Sequence, residues 1–480
     1  MKTSFSANDL AQAHSDLSAA ETPHRPAAEI RSPVHVVYGG AHLFKAETPH
    51  KLGKIAANSL ELYAPNYAEL ARAMWLNGAD TLPHFEEEIQ NLEFQLIENP
   101  QQIKAENFAA RLAHTVYERV SEKLRGEPVE DFRIDFEDGY GFRADAEEDA
   151  HAVSASAELA RAFREKSITP FCGFRIKSLQ NETRNRALRT LDLFLTNLLS
   201  ETGGKLPENF VVTLPKITRR AEVAALAKLL TIFERQNALA DGQIKIEAMI
   251  ETPQAIVGEK GEIALRGLIE AGNGRVNSAH FGAYDYTASF GISGIHQHLR
   301  HESAVFARQM MQIALAPIGI RLSDSVTTEM PIPLHKSEHL SEQQQNENRR
   351  AVHSAWRRHF NNVTNSLING FYQSWDLHPA QLVARYAAVY AFFLESSDAQ
   401  AERLKGFIGK ATQAMTTGNI FDDAASAQGL LNFFLRGLNS GALTETEVLE
   451  KTGLSRAELQ TTSFIEIMRG KSNDSAEAKI

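Results

Sequence analysis

The chain has almost no cysteine. Cys172 is the single thiol in 480 residues, which excludes an internal disulfide and a cysteine-based metal cluster and fits a reducing compartment. Long apolar runs are missing as well: none approaches the ~18 residues that a membrane-spanning helix requires. Positive charge is scarce, with 50 Lys and Arg against 60 Asp and Glu, a net charge of −10. That balance argues against a general nucleic-acid binder and gives no reason to expect a membrane surface as partner. The first thirty residues are polar and carry no apolar core of a signal peptide. The expectation is a cytoplasmic protein in which residues 1–32 form a flexible tail.

What is present is a regular alternation. Val34–Tyr38 reads as a short buried strand stopped by Gly39-Gly40. Residues 45–128 read as helical, most clearly where Phe108, Leu112, Val116, Val120 and Leu124 recur at four-residue spacing before Gly126 and Pro128. Further strands are expected at the start of Phe132–Tyr140, and at Phe171–Ile176, Phe210–Leu214, Ile244–Ile250, Val276–Phe281, Arg321–Val326 and Gly370–Trp375. A helical pattern follows each. One of these, Pro253 to about Ala271, reads as a single helix. Short apolar strands alternating with helices predict a parallel sheet buried on both faces. Eight such units predict an α/β fold, a (β/α)8 TIM barrel. Residues 33–400 would form the barrel, with a helical insertion at about 45–128 after the first strand, and 401–480 a helical C-terminal extension.

The candidate chemistry sits where strands end, because a barrel of this type builds its site from the loops that follow its strands. The second strand runs into F-R-I-D-F-E-D-G-Y, placing Asp135, Glu137 and Asp138 within four residues. Crowded acids at a buried strand end need a cation, hydrogen bonds or a shared proton. The other strand ends contribute Arg175 and Lys177, Lys216 in L-P-K, Glu251 in M-I-E-T-P, Asp285 in F-G-A-Y-D-Y and His378 in L-H-P. Taken singly, each has a plain alternative: the lysines as loop residues, His378 as a cap. His298 and His301 read as a capping and packing pair. Glu251 and Asp285 close consecutive strands, which lie about 4.8 Å apart. Two such carboxylates can share an octahedral Mg2+. No cysteine or strand-borne histidine pair favours zinc, so a hard cation is expected, Mg2+ with Mn2+ as the substitute. Arg175, one strand from the acids, suits a substrate carboxylate or carbonyl oxygen.

These motifs resemble those of the citrate lyase beta subunit, malyl-CoA lyase and HpcH–HpaI aldolase superfamily, with malate synthase a more distant relative. D-F-E-D-G, F-R-I-K, L-P-K, M-I-E-T-P-Q-A-I, F-G-A-Y-D-Y and W-D-L-H-P-A-Q-L follow the family order between about residues 33 and 395. The resemblance implies a phosphoenolpyruvate/pyruvate-type barrel and Mg2+-dependent making or breaking of a carbon–carbon bond. It implies Glu251 and Asp285 as metal ligands, Arg175 on the substrate oxygen, and Asp135, Glu137 and Asp138 as acids that hold metal-bound waters or orient the base, the base being one of these carboxylates or a metal-bound water. The chain departs from the family at Asp138, where aldolases carry histidine, at Lys177, and at Gln373-Ser374. Recognition of a CoA thioester is therefore left open. In malyl-CoA lyase-like proteins a C-terminal lid supplies an aspartate, for which Asp422-Asp423 is the acidic pair available.

The expected function is a carbon–carbon lyase or aldolase acting on a small 2-oxo or hydroxy acid through an enolate, with Lys177, Lys216 and His378 assisting Arg175 in binding. The expected partners are that small carboxylic acid and further copies of the chain, a homo-oligomer. Two alternatives stay open: a phosphoenolpyruvate-dependent phosphotransferase using Lys177 and Lys216, and a non-catalytic metabolite-binding relative.

Overall fold

Alternating strands and helices can close on themselves only if every strand finds two parallel neighbours, and here all eight do. The computed structural model describes residues 6–20, 31–98, 107–417, 424–461 and 467. Its strands are β1 (His35–Gly40), β2 (Asp131–Asp135), β3 (Phe171–Arg175), β4 (Phe210–Leu214), β5 (Lys245–Ile250), β6 (Val276–Phe281), β7 (Arg321–Val326) and β8 (Gln373–Asp376). They run parallel in chain order, and β1 pairs with both β2 and β8 to close the barrel. Parallel neighbours need long crossovers, which the intervening helices provide.

β4, β6 and β7 have the bounds expected from sequence. β8 starts three residues later than expected, because Gly370 turns the chain with a φ of 79° before pairing begins. The single helix expected over 253–271 is two, Pro253–Ile256 and Leu265–Ala271. Between them Gly261, at a φ of 80°, makes a turn held by a bridge from Val257 to Ile263. Helix geometry cannot pass through that left-handed position.

Among the described residues, four α-helices lie between β1 and β2: Thr48–Tyr63, Tyr67–Met74, Glu86–Glu98 and Phe108–Gly126. The last buries Leu112, Val116, Val120 and Leu124 as its stripe predicts, while Phe108 at its first turn stays exposed. Residues 7–20, within the stretch expected to be a loose tail, form a helix. At the other end, helix Gln381–Thr417 runs through residue 400, so the expected start of the C-terminal extension falls inside one element. Among the described residues, three more helices follow at Ala424–Asn439, Glu445–Thr452 and Arg456–Gln460. His301 caps helix Glu302–Leu315 by accepting from Ser303 N–H, and its ring lies 6.0 Å from that of His298.

The two strand faces differ in chemistry. The outward residues are apolar and packed by helices, as where Phe174 stacks on Phe194 of helix Arg184–Thr202 at 4.0 Å. The inward face carries Asp131, Arg133, Arg175, Glu247 and His280, all buried. Among the described residues no helix is long and apolar enough to cross a membrane.

Candidate active site

The strand register makes the first contact of the site. Asp135 is paired in register with Arg175 across β2 and β3. Side by side, the two form a bidentate ion pair, with Arg175 Nε and Nη2 donating to the Asp135 oxygens at 2.7 and 2.6 Å. Asp135 also accepts from the backbone N–H groups of Glu137 at 2.9 Å and Gly139 at 2.7 Å. That fourfold satisfaction explains how a fully buried carboxylate is tolerated. A side chain at position 139 would overlap Asp135, since a Cβ there would lie 2.7 Å from Oδ2. The glycine in F-E-D-G is thus what lets the loop fold back onto the strand end.

The guanidinium of Arg175 lies against two aromatic rings, Tyr38 at 4.8 Å and Trp375 at 5.6 Å. Those rings pack against each other at 4.4 Å. With Nε and Nη2 committed to Asp135, the remaining nitrogen, Nη1, faces Glu137 Oε2 at 3.1 Å and the Met249 sulfur at 3.5 Å. The arginine therefore presents one donor edge to the barrel mouth and is fixed on every other side.

The remaining strand-end acids converge on the same mouth, and Lys216 joins them. Its ammonium lies 3.1 Å from Glu137, 3.4 Å from Asp138 and 3.4 Å from Asp285. Its backbone N–H donates to Glu251 Oε1 at 2.6 Å. Glu251 follows β5 and is buried, while Asp285, in the short helix Ala283–Ala288 after β6, is 48% exposed. A Cβ at Gly282 would lie 2.5 Å from that of Glu251, so only glycine leaves room for the carboxylate. Five carboxylates (Asp135, Glu137, Asp138, Glu251, Asp285) thus share two cations, Arg175 and Lys216.

The imbalance shows in the acidities. Burial, reinforced by the neighbouring Asp285 charge, pushes the Glu251 carboxyl up to about 8. Burial likewise raises Glu137 to about 7, with Asp138 adding to the push against the pull of Arg175 and Lys216. For Asp138 burial acts in the same sense, but Arg175 and Lys216 outweigh it and hold the carboxyl below its usual range. Burial would lower the Lys216 ammonium, and the four surrounding acids overcome that and raise it.

Two candidates lie apart from this cluster. Lys177 is buried and turned to the outside of the strand end, where it donates to Phe136 O at 2.6 Å and pairs with Glu148 at 2.8 Å. His378 starts the turn into helix Gln381–Thr417, its Nδ1 accepting from Ala380 N–H at 3.2 Å. Among the described contacts, none joins His378 to the acids of the mouth. Asp422-Asp423 lie outside the described residues. The described side chains also bring Glu93, His114 and Glu118 together on the helices between β1 and β2, with ligating atoms within 4.8 Å of one another.

Below the mouth lies a layer that was not expected. Glu247 of β5 accepts from Arg133 at 2.7 and 3.0 Å, Thr213 at 2.8 Å, Ser278 at 3.1 Å and Tyr38 at 3.1 Å, and pairs with His280 at 2.8 Å. Arg133 also pairs with Asp131, which accepts from Gln373 at 3.0 Å. Burial would raise Glu247, but Arg133 and His280 outweigh it and keep it well below the usual carboxylate range. Tyr38 joins the two layers, its hydroxyl on Glu247 and its ring under Arg175. The signal was present in the strands as polar residues at every second position: Asp131, Arg133 and Asp135 in β2, Ser278 and His280 in β6.

Solved structures similar to this chain include a citrate lyase from Burkholderia xenovorans LB400, at 18% identity and a TM-score of 0.49, covering 70% of this chain and 91% of that one. Another is a malate synthase from Haloferax volcanii in a complex with magnesium and glyoxylate, at 16% identity and a TM-score of 0.41, covering 57% of this chain and 70% of that one. At that depth neither likeness carries an argument, and the fold rests on the strand pairing above. No curated protein matches the sequence. A family model matches residues 14–467. Spanning nearly the whole chain, that match shows that the protein belongs to the family described as a domain of unknown function, DUF6986.

Proposed function

We propose that the chain is a Mg2+-dependent carbon–carbon lyase or aldolase acting on a small 2-oxo or hydroxy acid through an enolate. The observation that carries the reading is the surplus of carboxylates around one arginine at the mouth of the barrel. Glu251 and Asp285 would hold the metal. They fit it by chemistry: both are oxygen donors, and the burial of Glu251 beside the Asp285 charge leaves a deficit of positive charge that a divalent cation would relieve. When bound, the metal supplies Lewis acidity toward a carbonyl oxygen.

The chain's own residues account for the rest. The Nη1 edge of Arg175, turned to Glu137 at the mouth, donates to a substrate oxygen and stabilises negative charge as it develops there. Its other donors are tied to Asp135 and its face to Tyr38 and Trp375, so it meets the substrate already oriented. Glu137 is the group suited to move the proton next to the carbonyl. It is poised at about 7, where a carboxyl can both take and return a proton at neutral pH. Asp135 orients Arg175, and Asp138, kept ionised, maintains the negative field of the mouth. Lys177 and His378 have no part in this scheme; the phosphotransfer alternative relied on Lys177 and Lys216 together, and only Lys216 reaches the mouth.

Enolate formation can be tested without knowing the second substrate. Pyruvate incubated in D2O with Mg2+ and the protein should exchange its methyl protons, followed by NMR. Substituting Arg175→Lys or Glu137→Gln should slow the exchange by about 100-fold or more, the scale of one general-base or electrostatic contribution. Glu251→Gln and Asp285→Asn should weaken Mg2+ binding by calorimetry. If pyruvate, oxaloacetate and glyoxylate gave neither exchange nor turnover, alone or with an acyl-CoA, the proposal would fall. Light scattering tests the homo-oligomer that belongs to the same proposal.

A further inference from the structure

We propose that Lys216 is a built-in counter-ion of the mouth, and that it sets divalent-cation affinity by occupying the carboxylates the metal would use. The inference rests on the reading of Glu251 and Asp285 as the metal site. It starts from how the residue is held. Lys216 has a φ of 50°, in the left-handed region that a long side chain seldom adopts. Gln180 Nε2 donates to its carbonyl at 3.2 Å, its own N–H donates to Glu251, and the carbonyl of the next residue, Ile217, accepts from Thr252. The backbone is pinned on both sides, so only the four-carbon side chain is left to move.

That side chain does what a solvated loop lysine does not. It leans inward and places one ammonium among three acids from two strand ends: Glu137 and Asp138 after β2 and Asp285 after β6. Its backbone meanwhile holds the fourth acid, Glu251. One residue thereby touches both proposed metal ligands. A divalent cation arriving at Glu251 and Asp285 would meet the ammonium 3.4 Å from an Asp285 oxygen. Two cations competing for the same oxygens repel strongly at such separations. The side chain is 28% exposed, so the ammonium has an open path to solvent. Metal entry and withdrawal of Nζ are then a single exchange of cations.

The test is a calorimetric Mg2+ titration of the full chain, with Lys216→Met and Lys216→Arg beside the wild type. Lys216→Met removes the competing charge and keeps the backbone N–H on Glu251. It should bind Mg2+ about tenfold tighter or more, the factor that one modest charge contact represents. Lys216→Arg retains a cation and should stay near the wild type. Thermal unfolding gives a second readout: without metal Lys216→Met should melt lower than the wild type, and Mg2+ should raise its Tm by more. Should Lys216→Met fail to fold, Lys216→Gln serves the same comparison. Equal or weaker Mg2+ binding by the neutral variant, with Glu251→Gln still abolishing binding, would overturn the inference and leave the metal site standing. Binding undiminished in both Glu251→Gln and Asp285→Asn would overturn the metal site and this inference together.

Discussion

The barrel interior contains two charged layers built from the same residue types, and they behave in opposite ways. In the lower layer Glu247 accepts from or pairs with five side chains, two of them cationic or able to become so, and its acidity is strengthened. At the mouth Glu251, four residues further along the chain, has a single backbone donor and a neighbouring acid, and its proton is held more tightly. Burial penalises both carboxylates alike. What separates them is whether the surrounding groups compensate the charge. A compensated layer stabilises a structure, whereas a layer left short of cations is suited to binding one. The difference assigns architecture to the lower layer and chemistry to the upper.

Removing the lower charge should have the largest effect. Glu247→Ala leaves Arg133 buried beside Asp131 alone and strips Tyr38, Thr213 and Ser278 of their acceptor. We expect a loss of about 3–5 kcal/mol, the usual cost of breaking a buried ion pair from one side. Chemical denaturation measures it, and added Mg2+ should not restore it. A loss below that of an ordinary surface substitution would erase the contrast between the layers.

The matching change at the mouth should have the opposite sign. A carboxyl raised from its ordinary value to about 8 contributes stability that is present below the unfolded value and is lost as pH rises through 8. Glu137, at about 7, acts the same way over the lower part of that window. Glu251→Gln cannot ionise, so in metal-free protein its stability relative to the wild type should climb between about pH 5 and pH 8. The gain at the alkaline end should be about 1–3 kcal/mol. Urea titrations at several pH values, taken as the difference between variant and wild type, isolate this group from the other titrating residues. A flat difference would mean that Glu251 is compensated after all.

The smallest effect should come from the residue that spans both layers. Tyr38→Phe keeps the ring under Arg175 but removes the hydroxyl shared with Glu247 and His280. We expect a destabilisation of about 1 kcal/mol, that of one buried hydrogen bond. Mg2+ affinity should be unchanged. A drop in metal affinity as large as that of Glu251→Gln would show the layers to be one coupled unit.

The sequence by itself determined the barrel and the addresses of the strand-end residues. Alternating short apolar strands and helices leave little choice but a parallel sheet, and Asp135, Glu137, Asp138, Arg175, Lys216, Glu251 and Asp285 could be collected from its ends because strand ends are readable from turns and glycines. Only the tertiary structure decided which of them meet. Lys177 and Lys216 look equivalent in the chain, yet the first is drawn outward by Glu148 of helix Asp145–Arg164 and the second inward by three carboxylates. The lower layer left a signal in the sequence that is easily misread, for a related reason. A polar residue at every second position of one strand ordinarily marks a solvent face, as in β2 with Asp131, Arg133 and Asp135. Closing eight strands turns that face inward, and charges that looked solvated become partners of one another. Pairing across the barrel depends on residues more than a hundred positions apart, such as Arg133 and Glu247, and no local pattern carries that information.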